Sequence, residues 1–116
     1  MKVGDILVST WGWGQTNVDF FKVVEISSTG KTAWLRKIGK YYVDKNGNHI
    51  KQIYGDGEGL AIPNSKRYID TDILKKRVLI GTDSEEYCHM NSARSMISAR
   101  IASPWDGSPI RESWYY

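Results

Sequence analysis

The sequence predicts a mainly β domain, a small twisted antiparallel sheet or partly open barrel with at most one short helix near residues 92–102. Short runs in which apolar and polar residues alternate recur along the chain, as in strands that bury one face. Eleven glycines against three prolines supply tight turns between those runs. Five tryptophans and seven tyrosines are many for 116 residues, and a small β domain uses such rings as core filler or leaves them partly exposed.

The elements follow in chain order. Ile6, Val8 and Thr10 alternate with Leu7, Ser9 and Trp11, which makes a first strand. Trp11-Gly-Trp-Gly breaks it, because two glycines permit unusual backbone angles. A second strand runs from Val18 to Ile26. Ser27-Ser-Thr-Gly-Lys is a hairpin turn with Gly30 placed for the left-handed position. Thr32 to Ile38 is the return strand. Tyr41-Tyr-Val opens a further strand, the cluster Asp44 to Asn48 turns it, and His49 to Tyr54 is its partner. Gly55 to Gly59 reads as a loop and Pro63-Asn-Ser as a second connector. Arg77 to Ile80 and Glu86 to Met90 are short strands. From Ser92 to Ala102, Met96, Ile97, Arg100 and Ile101 recur at helical spacing, with Asn91 or Ser92 as cap; a continued strand is the rival. Pro104 ends that segment and Asp106-Gly turns the chain. Phe20 and Phe21 point to opposite strand faces, so one is expected in the core and the other beneath a loop or partner.

The length, residues 1–116, corresponds to a single domain with one core. A charged fraction of 25% with 41% hydrophobic residues argues against disorder. No apolar run approaches the roughly 18 residues of a membrane span, and the N-terminus lacks a signal-peptide stretch. Membrane association is therefore not expected. Cys88 alone makes no internal disulfide, and with His49 and His89 it forms a poor zinc set. No cofactor or metal is expected.

A search for catalytic patterns is equally thin. There is no phosphate-binding glycine loop and no nucleophile elbow. Cys88 and His89 are strand neighbours pointing apart, and Asp19 is an acid inside an apolar strand. A small enzyme using Cys88, His89 or Asp19 ranks last, and the expected answer is that the chain is not an enzyme.

Charge and polar patterning say more. Residues 27–53 carry Lys31, Arg36, Lys37, Lys40, Lys45 and Lys51 against Asp44 alone, a local balance of +5 within an overall +3. Trp34, Tyr41 and Tyr42 lie among them. Cations that neutralise phosphates, interleaved with rings on which bases stack, suit nucleic-acid binding. Lys31, Trp34, Arg36, Lys37, Lys40 and Tyr41 are the residues this reading nominates. The other dense constellation is Trp11-Gly-Trp-Gly-Gln-Thr-Asn-Val-Asp-Phe-Phe, where Gln15, Thr16 and Asn17 add hydrogen-bonding groups beside two indoles. With Trp105 and Trp114, residues Trp11, Trp13, Gln15, Thr16 and Asn17 form a candidate protein-partner surface.

Val3-Gly-Asp-Ile-Leu-Val-Ser, the Trp11 to Val24 block and Ala102-Ser-Pro-Trp-Asp-Gly-Ser-Pro together resemble a family of small bacteriophage and mobile-element proteins. The likeness covers both ends of the chain and fades between about residues 44 and 76. Trp13-Gly14 departs from the family's aromatic-then-acid pattern, and extra residues lie between Tyr87 and Trp105. The resemblance supplies no catalytic residues. It implies an accessory protein in the cytoplasm of a bacterial host, non-enzymatic. Its expected role is to inhibit a host defence complex, of anti-CRISPR or anti-restriction type, by occupying a protein or nucleic-acid-binding surface. The partner would be a host defence protein or ribonucleoprotein. The alternative is direct nucleic-acid binding in phage metabolism. The oligomeric state is not readable from the sequence.

Overall fold

The computed structural model describes residues 1–11, 16–44, 46–50, 57–90 and 100–114. Its strands are β1 (Ile6–Trp11), β2 (Asn17–Ile26), β3 (Thr32–Val43), β4 (His49–Ile50), β5 (Gly57–Arg77), β6 (Leu79–Ile80), β7 (Glu86–His89), β8 (Ile101–Pro104) and β9 (Ile110–Trp114). They form one antiparallel sheet in the order β6-β7-β8-β1-β2-β3-β5-β9, with β4 on the end of β3. Among the described residues there is no helix, so none is long and apolar enough to cross a membrane. Ile101 and Ala102 belong to β8 rather than to a helix. Arg100 is in no helix, and the rest of the predicted helix, residues 92–99, lies outside the described residues.

The first hairpin is as expected. Gly30 sits at φ 74°, where residues with a Cβ are strained, and its N–H donates to the Ser27 carbonyl at 2.9 Å. The return strand is longer than predicted, because Tyr41, Tyr42 and Val43 continue β3 without a break. The larger departure is β5. Gly57 to Gly59 and Pro63-Asn-Ser, read as loop and connector, are parts of a 21-residue strand. Two register shifts explain how it tolerates its polar middle: Gly39 pairs Asn64, Ile38 pairs Tyr68, and Arg36 pairs Ile73. The surplus residues on β5 are therefore extruded as bulges. Pro63 stands where β9 no longer pairs with β5, since that ladder covers Gly57 to Ala61, and an edge position tolerates a missing N–H.

Each face of the sheet carries a buried cluster. On one, Leu7, Phe21, Val23, Ala33, Leu35, Val78, Cys88 and Ala102 form a buried cluster. On the other, Val18, Phe20, Ile38 and Ala61 are buried with Ile6, Val8, Tyr42, Trp105 and Ile110 packed around them. Phe20 and Phe21 are thus both core, one per face, at 0% and 3% exposure. The second cluster exists because the sheet curls. Outer strand β9 comes back to the start of β2, where Ser113 N–H donates to the Thr16 carbonyl at 3.0 Å and the Thr16 N–H donates to Ser113 Oγ at 2.9 Å.

Candidate functional site

Alternation along β3 decides which of its basic residues share a surface. The cross-strand pairs Lys22–Arg36, Arg36–Ile73 and Trp34–Lys75 stand side by side, and directly opposed residues share a sheet face. Thr32 opposite Arg77 and Ile38 opposite Tyr68 extend the same face. The result is an exposed area beyond the second core cluster, carrying Lys22, Trp34, Arg36, Tyr68, Lys75 and Arg77. Tyr68 is 37% and Ile73 57% exposed.

Within it, cations lie over rings. The Arg36 guanidinium carbon is 3.9 Å from the Tyr68 ring centroid, and the Lys22 ammonium is 6.0 Å from the same ring. The Lys75 ammonium is 5.7 Å from the Trp34 ring. Arg36 Nε also donates to the Asp70 carbonyl at 3.0 Å, which holds the bulge of β5 against the face. Among the described residues, none of Lys22, Arg36, Lys75 and Arg77 is in an ion pair with a carboxylate. Glu25, opposite Trp34, is an acid that shares these rows.

The remaining nominated cations are differently employed. Lys40 points to the face of Trp34 and Arg36 but is drawn into the curl, where it donates to Glu112 Oε2 at 2.8 Å and to the Val18 carbonyl at 2.6 Å. Glu112 is 1% exposed and also accepts from the Val18 N–H at 2.6 Å and the Tyr42 hydroxyl at 2.5 Å. Lys37 is on the opposite face, opposite Phe21, with its ammonium 3.4 Å from Asp19 Oδ1. Tyr41 is exposed, with its ring edge-on to His49. Lys31 is exposed at the hairpin end. The basic stretch is therefore divided between two faces, and Lys37 and Lys40 serve internal carboxylates.

Asp19 organises the candidate partner motif. Its carboxylate accepts from the Trp11 indole N–H at 2.8 Å and from Arg100 at 2.5 Å. Arg100 Nε donates to Ser9 Oγ at 3.1 Å, and its guanidinium carbon is 4.9 Å from the Trp11 ring centroid. Burial pushes the Asp19 carboxyl up, but the Trp11 hydrogen bond and the charges of Lys37, Arg100 and Lys40 outweigh it and hold it below its ordinary value. Trp11 is 45% exposed, yet its polar end is committed internally.

Trp105 is tied down as well. Its indole N–H donates to the Ser108 carbonyl at 2.7 Å, its ring meets Phe20 edge-on at 6.2 Å, and Asp106 accepts from both the N–H and the hydroxyl of Ser108. The Trp-Asp-Gly block is thus a self-satisfied turn. Thr16 immediately precedes β2 and Asn17 begins it, Asn17 opposite Trp11, and Trp114 lies in β9 opposite Gly57. Trp13 and Gln15, like Lys45 and Lys51, lie outside the described residues. Trp11 and Trp105 pack on opposite faces, so the nominated set is not one surface.

The residues of the enzymatic reading are also apart. Cys88 is buried in the first cluster, where desolvation pushes its thiol up. His89 is its strand neighbour on the exposed side, with its ring against Tyr87, while Asp19 is held by Trp11, Arg100 and Lys37. Among the described residues no group of His, Cys, Asp and Glu side chains is arranged to hold a metal ion.

Sequence reading nominated Trp34 and Arg36 but missed Lys22, Tyr68, Lys75 and Arg77. The Lys75-Lys76-Arg77 run was the available signal, hidden because the chain outside residues 27–53 is net acidic. Comparison of the chain with protein families, with curated proteins and with solved structures finds no match.

Proposed function

We propose that the protein binds single-stranded nucleic acid on the face carrying Lys22, Trp34, Arg36, Tyr68, Lys75 and Arg77. The observation that supports this is a pair of rings on an open sheet face, each beside cations that form no ion pair with a described carboxylate. Stacking on such rings requires bases whose faces are free, which favours a single strand over a duplex. The cations meet the phosphates and make binding salt-dependent. Fluorescence anisotropy with an oligothymidylate and with a duplex of equal length tests the reading. Tighter binding of the single strand supports it, and equal or absent binding counts against it.

A second reading keeps the inhibitory role in a mobile-element setting, with a ribonucleoprotein as partner. It is favoured by Ile69 and Ile73, 47% and 57% exposed, which add apolar contact area at the bulge beside the basic rows. Capture of a host complex that resists nuclease treatment and is lost in Ile69→Asp would separate it from direct nucleic-acid binding.

A further inference from the structure

At the hairpin end of the β3–β5 ladder an open pocket of about 420 Å³ is lined by Lys31, Thr32, Lys75, Lys76 and Arg77. We propose that this pocket seats the terminal phosphomonoester of the bound strand, an inference that rests on the single-strand reading above and assigns the position of the strand's end. The pocket adjoins the ring row: Trp34 pairs Lys75, and two residues further Thr32 pairs Arg77. That places the pocket about 7 Å beyond Trp34 along the strand, within reach of the sugar-phosphate of a base stacked there.

Charge favours an end over a passing phosphodiester. A bridging phosphate carries a single negative charge, whereas a phosphomonoester carries about −1.5 to −2 at neutral pH and offers three acceptor oxygens. Lys31, Lys75, Lys76 and Arg77 all line this one opening, Lys75 and Arg77 from the ring-bearing face and Lys76, opposite Ala33, from the other side of β5, and none of them is in an ion pair with a described carboxylate. Thr32 adds a hydroxyl, and the Arg77 fork matches two phosphate oxygens.

The walls are also fixed before any ligand arrives. The Lys31 carbonyl accepts from the Val78 N–H at 2.8 Å, the Thr32 carbonyl accepts from the Ser27 N–H at 2.9 Å, and the Thr32 N–H donates to Ser27 Oγ at 3.1 Å. The backbones that carry Lys31, Thr32 and Arg77 are thereby held in register, which lowers the ordering cost of binding.

The test is equilibrium binding of the full chain to one oligothymidylate prepared with a 5′-phosphate, a 3′-phosphate or hydroxyl ends. One phosphorylated end should bind about tenfold tighter than the hydroxyl-ended strand, as expected for added charge-assisted hydrogen bonds. Lys76→Ala combined with Thr32→Val should bring that ratio toward one. Trp34→Ala should weaken all three strands while keeping the ratio. Equal affinity for the three strands, with binding intact, overturns the end-seating proposal and leaves the binding face standing. A ratio unchanged in the pocket variant, or thymidine monophosphate binding as tightly as the phosphorylated strand, also overturns it. No binding of any strand overturns the underlying reading.

Discussion

Two regions on opposite faces of the sheet place a cation over an indole or phenol ring, and they differ in one component. At Trp11, the guanidinium of Arg100 meets a carboxylate, Asp19, that is only 9% exposed and also receives the indole N–H. At Trp34 and Tyr68, the neighbouring Lys75 and Arg36 have no such acid among the described residues. The buried acid turns the first arrangement into a clasp between β1, β2 and the residue preceding β8. Its absence leaves the second with charge to offer an external anion. A cation beside an aromatic ring is therefore no sign of an interface until the acid is accounted for.

The comparison breaks most severely at the acids. Glu112→Ala removes the partner of Lys40, Tyr42 and the Val18 N–H together, leaving a buried donor unpaired. Loss of one member of a buried ion pair costs about 3–5 kcal/mol, enough to unfold a marginal domain. Urea denaturation should show that loss. A variant as stable as the parent would show that the β9 curl is held by something other than Glu112.

Asp19 provides the pH test. Its carboxyl titrates below the ordinary value in the folded chain, so its stabilising contribution is present above about pH 4 and is lost as pH falls through the lowered folded value. Thermal melts between pH 6 and pH 2 should show Asp19→Asn less stable than the parent at pH 6, with the two curves converging in acid. A gap that stays constant would mean the ion pairs with Arg100 and Lys37 do not contribute.

Smaller effects belong to the open face. Trp34→Ala and Tyr68→Ala should each weaken single-strand binding by about 1–3 kcal/mol, the usual worth of one stacked base. Circular dichroism and anisotropy on the same samples distinguish this from unfolding. Smallest of all is a charge exchange between faces. Lys75→Ala should leave stability within about 0.5 kcal/mol and lower the salt slope of binding by about 0.7. Lys37→Ala should leave the slope unchanged and cost at most about 1 kcal/mol of stability, since its pair with Asp19 is partly solvated. Reversed outcomes would exchange the roles of the two faces.

How much of this was legible in the sequence differs between local and distant features. The alternation of Ile6 to Trp11 and the glycine-bearing turn after Ile26 are short-range signals, and β1, β2 and the start of β3 follow them. The polar middle of β5 gives no period-2 pattern, because its surplus residues bulge outward instead of filling one face, and Pro63 marks a strand as a loop unless its edge position is known. Asp19 drew notice as an acid in an apolar strand, but its partners Trp11 and Arg100 lie 8 and 81 residues away. Trp34 and Arg36 were visible because the charge around them is locally dense. Lys75, Arg77 and Tyr68 join them only through the β3–β5 register, which no local pattern encodes. The same register explains why Lys37 and Lys40, close in sequence to Arg36, act elsewhere.

The most direct measurement of the central claim is the salt dependence of oligothymidylate affinity in the parent and in Lys75→Ala combined with Arg77→Ala. With Lys22, Arg36, Lys75 and Arg77 meeting phosphates, log affinity should fall against log salt with a slope of about −3, and the double variant should halve it. A parent slope near zero, or a slope untouched by the double variant and lost instead in Lys37→Ala, would contradict the assignment of the open face.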